Sequence, residues 1–236
     1  MKVRNSPNCN DRSRKGIKYL ILHYTGMETA DDALDRLCDP KAQVSAHYLI
    51  KEDGEIVSMV PEGKRAWHAG LSKWEEDTDI NDRSIGIELV NTGHPYEGYE
   101  SVYKKFPDVQ MDALIGLSQE IVKRHLIKPC YILGHSDVAW RRKIDPGELF
   151  DWQGLANKGL GLFASIGDHQ KAASLGIKSF LSKLHNYGYD IEGVVDKPQE
   201  IITAFQRHYR PDNICGVLDD ETVLILDKLL DDKFNL

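Results

Sequence analysis

The chain has 236 residues, enough to bury a full core as one large domain or two smaller ones. Hydrophobic residues make up 41% and charged residues 28%, which excludes disordered and collagen-like architectures. The net charge of −7 speaks against a generic nucleic-acid binder, and no apolar run is long enough for a transmembrane helix.

The first eighteen residues hold Lys2, Arg4, Arg12, Arg14, Lys15 and Lys18, with no apolar segment of signal-peptide length behind them and no hydrophobic run before Cys9. The chain as written therefore carries no export address. Ile17 to Tyr24 reads as a central strand, because Ile17, Tyr19, Leu20, Ile21 and Leu22 are almost continuously apolar, and it ends on His23. Ala30 to Leu37 has helical spacing and stops at Asp39-Pro40. Ala46 to Lys51 and Glu55 to Pro61 flank Asp53-Gly54, a hairpin signal. Ser84 to Val90 is a second buried strand.

Asp108 to Leu126 is amphipathic, with Met111, Leu114, Leu117, Ile121 and His125 on one stripe and Pro107-Asp108 read as its cap. A short strand, Cys130 to Leu133, delivers Gly134-His135. From Asp145-Pro146-Gly147 to about Asp168 the chain reads as loop, punctuated by Gly154, Gly159, Gly161 and Gly167. Three helical segments follow, Gln170–Tyr187, Pro198–Tyr209 and Asp219–Leu230. The expected fold is α/β, a central mixed β-sheet flanked by helices over 1–168, with a small all-α three-helix domain over 169–236. The four cysteines (Cys9, Cys38, Cys130 and Cys215) are scattered without CxxC spacing and read as free thiols.

Among groups able to do chemistry, His23 and His135 each end a strand, and Asp145 follows in a Pro/Gly loop able to fold back. Two imidazoles and one carboxylate with a fourth position open suit catalytic zinc better than magnesium or calcium. Singly, each residue reads as well as a satisfied structural or surface group. Glu88 puts a charge into the apolar run Ile85-Gly86-Ile87-Glu88-Leu89-Val90. Either alternation points it to solvent, or it faces the metal and moves a proton from the attacking water to the leaving nitrogen. Gly86 would leave room there for substrate. Lys143, two residues before Asp145, reads equally as an oxyanion-stabilising ammonium or a solvated lysine. Trp67-His68-Ala69-Gly70 offers an aromatic wall and small residues, with Arg65 or Arg83 able to pair a ligand carboxylate. His47 reads as a packing or supporting residue.

Six motifs then appear in order. They are Leu22-His23-Tyr24-Thr25, Ser45-Ala46-His47-Tyr48-Leu49-Ile50, Ala66-Trp67-His68-Ala69-Gly70, Ser84-Ile85-Gly86-Ile87-Glu88-Leu89, Gly134-His135-Ser136-Asp137 and Arg142-Lys143-Ile144-Asp145-Pro146-Gly147. Over roughly residues 5–155 the chain resembles the type-2 N-acetylmuramoyl-L-alanine amidases, the AmpD/AmiD-like group related to peptidoglycan recognition proteins. The resemblance implies a zinc hydrolase, with one Zn2+ per chain, that cleaves the amide between N-acetylmuramic acid and L-alanine of the stem peptide. It implies His23, His135 and Asp145 as metal ligands, Glu88 as acid/base and Lys143 at the oxyanion, with Arg65, Trp67, His68 and Ala69 along the substrate groove. Some relatives, phage lysozyme-like amidases among them, have tyrosine where Ala46 stands and lack the glutamate; this chain is of the glutamate kind.

The segment beyond residue 169 resembles a small peptidoglycan-binding domain through Ala204-Phe205-Gln206-Arg207-His208-Tyr209 and Gly216-Val217-Leu218-Asp219-Asp220-Glu221-Thr222. Peptidoglycan or muropeptide fragments are the implied partners, with no nucleic acid. The absent signal points to the cytoplasm and the two-domain relatives to the cell envelope. A non-catalytic recognition module and a zinc peptidase cutting within the stem peptide are the rival readings.

Overall fold

The computed structural model describes residues 1–14, 16–166, 175–194 and 197–236. In chain order the strands are β1 (Lys2–Val3), β2 (Cys9–Asp11), β3 (Tyr19–Tyr24), β4 (Tyr48–Ile50), β5 (Ile56–Ser58), β6 (Lys64–Ala66), β7 (Ser84–Leu89) and β8 (Ile132–Gly134). The helices are α1 (Ala30–Cys38), α2 (Ile80–Arg83), α3 (Asp108–His125), α4 (His135–Val138), α5 (Trp152–Ala156), α6 (Ile177–Tyr187), α7 (Pro198–Tyr209) and α8 (Asp220–Phe234). Six strands form one mixed sheet in the order β1-β5-β4-β7-β3-β8, with β4–β5 antiparallel and the rest parallel. The antiparallel pair is the hairpin expected at Asp53-Gly54, where Gly54 takes φ +84°.

The apolar run of β3 serves both faces of the sheet. Leu20 and Leu22 pack with Ile85, Ile87 and Leu89 against Leu114, Leu117 and Ile121 of α3. Tyr19 and Ile21 point the other way, into a core shared with Phe180, Leu184, Phe205, Leu226 and Leu229 of α6, α7 and α8. The C-terminal helices thus bury their apolar stripes against the sheet. The junction expected at 168/169 lies outside the described residues, as does the expected start of a helix at Gln170.

Several expectations change in detail. Asp108 does not cap α3: Pro107 stands at the N-cap without a side-chain bond, and Asp108 sits in the first helical turn, where its charge still faces the helix N-terminus favourably. His125 leaves the apolar stripe and contacts Glu62 Oε2 at 2.6 Å. The segment after Asp145 is not all loop, since α5 forms behind its N-cap Asp151, whose Oδ1 accepts from the Gly154 N–H at 2.8 Å. A second, two-stranded sheet pairs β2 with β6.

The basic lead-in is structural. Arg12 donates to the carbonyls of Glu62, Asn81, Asp82 and Ser84, bracing the start of β7. All four cysteines are free. No helix among the described residues is long and apolar enough to cross a membrane.

Candidate active site

The parallel strands β3, β7 and β8 run side by side with their carboxyl ends at one rim, where ligands of open α/β sheets bind. His23 lies near the end of β3 and is in register with Glu88 on β7, so both side chains leave the same face of the sheet. His135 follows β8 directly, at the first position of α4. The Asp145 carbonyl accepts from the Ser136 N–H at 2.9 Å, which ties the Asp145 loop to the turn that presents His135.

The three expected ligands converge. His23 Nδ1 lies 3.0 Å from His135 Nδ1 and 3.0 Å from Asp145 Oδ2, and His135 Nδ1 lies 3.1 Å from the same oxygen. All three residues are buried, and this donor set of two imidazole nitrogens and one carboxylate fits a metal ion. The far nitrogen of each imidazole is also engaged. His135 Nε2–H donates to the Ala69 carbonyl at 3.1 Å, which leaves the Nδ1 lone pair free for a metal. His23 Nε2–H donates to His68 Nδ1 at 3.0 Å, and His68 Nε2–H passes on to Ser84 Oγ at 3.0 Å.

The electrostatics suit hydrolysis. Burial, followed by the neighbouring charge of His135, lowers the His23 pKa to about 4, so its ring stays neutral and able to ligate. Asp145 is held well below the usual carboxylate range: the charges and hydrogen bonds of His135 and His23 outweigh its burial. Glu88 behaves oppositely. Burial, then the like charge of Asp145, pushes its carboxyl well above the ordinary value, with Lys143 opposing. Its Oε2 is buried without a hydrogen-bond partner among the described residues. A carboxyl of raised affinity for protons beside a ligand set is the condition a general acid/base needs.

These groups open on a cavity of about 500 Å3, whose wall includes Trp67, His68, Lys143, Arg36, Arg142 and Tyr96. Trp67 is anchored by Nε1 donating to Asn10 Oδ1 at 2.7 Å. Other expected residues stand elsewhere. Ala69 is fully buried and reaches the site only through its carbonyl. Arg65 is not in the cavity wall; it pairs with Asp79 at 2.9 Å and donates to Asn10 Oδ1. Arg83 pairs with Asp77 instead. Nor does Gly86 make room for substrate, because a Cβ there would lie 2.5 Å from Cγ of His68. The space belongs to the His68 ring. His47 is a supporting residue, its Nδ1 accepting from the Gly86 N–H at 3.0 Å.

Sequence reasoning missed Arg36, His94 and Tyr96 in the wall. Arg36 sits in the last turn of α1, where only the packing of that helix against the sheet brings it to the rim. His94 carries a sequence signal in its His94-Pro95-Tyr96 loop soon after Glu88, but nothing local says where that loop returns.

Comparison with known proteins bears on this geometry. Residues 12–148 match the Amidase_2 family model, described as N-acetylmuramoyl-L-alanine amidase. The chain is 38% identical over 231 residues to N-acetylmuramoyl-L-alanine amidase AmiD of Escherichia coli K12, covering 91% of this chain and 83% of the relative. A 109-residue stretch, 46% of this chain and 54% of the relative, is 43% identical to 1,6-anhydro-N-acetylmuramyl-L-alanine amidase AmpD of Enterobacter cloacae. Among solved structures, AmiD from E. coli in complex with the substrate anhydro-N-acetylmuramic acid-L-Ala-D-gamma-Glu-L-Lys superposes with a TM-score of 0.83 at 36% identity, over 97% of this chain and 93% of that one. AmpDh3 from Pseudomonas aeruginosa, in complex with anhydromuramic pentapeptide, gives 0.82 at 31% identity, over 94% of each chain.

Proposed function

From the premise that the chain belongs to the Amidase_2 family of N-acetylmuramoyl-L-alanine amidases, we propose that it is a zinc enzyme in which His23, His135 and Asp145 hold the metal and Glu88 moves the proton. Its substrate is the amide between N-acetylmuramic acid, in plain or 1,6-anhydro form, and L-alanine of the stem peptide. The solved complexes of the two similar amidases with anhydromuramyl peptides support that choice. The observation that supports the residue assignment is the register of His23 with Glu88, a carboxyl on the same face as His23 whose buried Oε2 has no hydrogen-bond partner among the described residues.

Bound there, zinc would supply Lewis acidity toward the amide carbonyl and lower the pKa of a water molecule toward neutrality. The protein does the rest. Glu88 accepts the proton of the attacking water and returns it to the alanine nitrogen as the carbon–nitrogen bond breaks. Lys143, in the cavity wall two residues before Asp145, offsets the negative charge that builds on the carbonyl oxygen. Trp67 and Tyr96 provide aromatic wall for the sugar and peptide, and Arg36 places a positive charge at the rim. We assign residues 1–168 to the catalytic domain and 169–236 to a helical domain related to peptidoglycan-binding modules.

The test is mass spectrometry of intact and anhydro muropeptides after digestion by protein stripped of metal, then reloaded with zinc, magnesium or calcium. Release of stem peptide with a free L-alanine amino terminus, only in the zinc sample, is the expected result. Cleavage within the stem peptide, or equal activity with magnesium, overturns the proposal.

A further inference from the structure

Away from the catalytic cavity, a dense cluster of buried polar groups lies where α7 meets the sheet end. Asp137, on α4 two residues past His135, is fully buried. Its carboxylate accepts from the Gly134 N–H at 2.7 Å, from the Tyr189 hydroxyl at 2.6 Å and from His208 Nδ1–H at 2.7 Å. A carboxylate with no access to water needs such a shell, and two of its three donors come from beyond the catalytic domain. The His208 ring stacks on Trp152 at 3.7 Å between centroids. Trp152 in turn packs against Gly134, where a Cβ would meet Trp152 Cζ2 at 3.2 Å and Pro146 Cδ at 2.9 Å. Gly134 precedes one expected ligand and Pro146 follows another, and the two approach each other beside the Trp152 ring that His208 covers.

The preceding residue of α7 reaches the other side of the site. Arg207 Nε donates to Glu148 Oε2 at 3.3 Å, and Glu148 lies three residues past Asp145. Glu148 Oε1 also accepts from His94 Nε2–H at 3.1 Å, while His94 Nδ1 accepts from the Tyr24 hydroxyl at 3.1 Å, directly after His23. Consecutive side chains on one helix therefore brace the segments that present all three ligand residues.

We propose that α7 is a positioning element of the metal centre, with His208 holding the His135 turn through Asp137 and Trp152, and Arg207 holding the Asp145 loop through Glu148. The C-terminal helices are then part of the catalytic apparatus, whatever else they bind. The inference rests on the metal reading above. Its physical basis is that outer groups fix the orientation of metal ligands, and their loss typically weakens metal affinity or activity about 10–100-fold.

The experiment uses the full chain and measures zinc affinity by competition with a chromophoric chelator, kcat and KM separately, and the melting temperature of metal-free protein. His208→Phe keeps the stacked ring but removes the donor to Asp137; His208→Asn restores a donor near the Nδ1 position. Leu229→Ala, in the shared core on α8 and a member of none of these hydrogen bonds or ring stacks, is the control for lost stability. We expect His208→Phe to weaken zinc binding about ten-fold and to lower kcat with KM unchanged, His208→Asn to recover most of both, and Leu229→Ala to lower only the melting temperature. Arg207→Gln, at a less buried position, should weaken zinc in the same direction but by less than His208→Phe, and carries the test if His208→Phe does not fold. Wild-type zinc affinity and kcat in both Arg207→Gln and His208→Phe overturn the proposal, as does an equal loss of affinity in Leu229→Ala. A wild-type chain that binds no zinc overturns the metal reading itself, a result distinct from intact binding that ignores α7.

Discussion

Strands β3 and β8 share one apolar core with the helical region α6–α8, yet the sheet end and the helices differ in how their roles are written. The sheet end carries its chemistry in short local motifs, each a strand that stops on a functional side chain. The helical region carries amphipathic stripes and two motifs that say what it resembles but not what it touches, and its tie to the site appears in contacts such as His208 with Asp137 and Arg207 with Glu148. Function concentrated in a few atoms leaves a sharper mark on the chain than support spread over an interface.

Substitutions can break or sharpen that contrast. The largest effect is expected at the sheet end: Glu88→Gln should lower kcat about 10²–10⁴-fold, since it removes a positioned acid/base without touching a ligand. Steady-state kinetics on an anhydro-muropeptide checks this. In the helical region the largest effect is on stability. Phe205→Ala, fully buried and edge-on to Phe180, should cost about 3–5 kcal/mol. Because its cluster includes Tyr19 and Ile21 of β3, chemical denaturation should still show one transition, with sheet and helices lost together. Two separated transitions would contradict the shared core.

A smaller effect concerns pH. Burial, with neighbouring charges secondary, depresses the pKa of His23 to about 4 and of His47 to about 3 in the folded chain. The unfolded chain takes up these protons near the ordinary histidine value of about 6.5 while the fold does not. Stability of the metal-free protein should therefore be full above about 6.5 and decline as pH falls toward about 4. Urea midpoints at pH 7.5 and 5 read the difference directly, and a midpoint that rises on acidification would contradict the buried neutral rings. The smallest effect expected is at α1, where Thr29→Ala removes the Oγ1 that accepts from the Asp32 N–H at 3.1 Å and should cost about 1 kcal/mol.

The same contrast explains what could be read from the chain alone. β3 and β7 were legible because a nearly continuous apolar run has few alternatives to a buried strand, and His23 and Glu88 stood out by interrupting or ending such runs. The β2–β6 ribbon was not, since Cys9-Asn10-Asp11 and Lys64-Arg65-Ala66 alternate no apolar residues and pair at an exposed edge. α4 and α5, with four and five residues, are too short to display a helical period. The purpose of Gly86 was misread because the ring filling its space, His68, arrives from eighteen residues away in sequence. Asp137 stood in a recognisable motif, but its partners Tyr189 and His208 lie 52 and 71 residues on. No local pattern encodes contacts of that range.

The proposed division of labour at the sheet end has three side chains holding zinc and Glu88 alone moving the proton. Zinc content and turnover measured on the same sample of Glu88→Gln test it most directly. The expected result is one zinc per chain, as in the wild type, with turnover of the muropeptide amide nearly abolished. Near wild-type turnover, or a protein that no longer retains zinc, would contradict it.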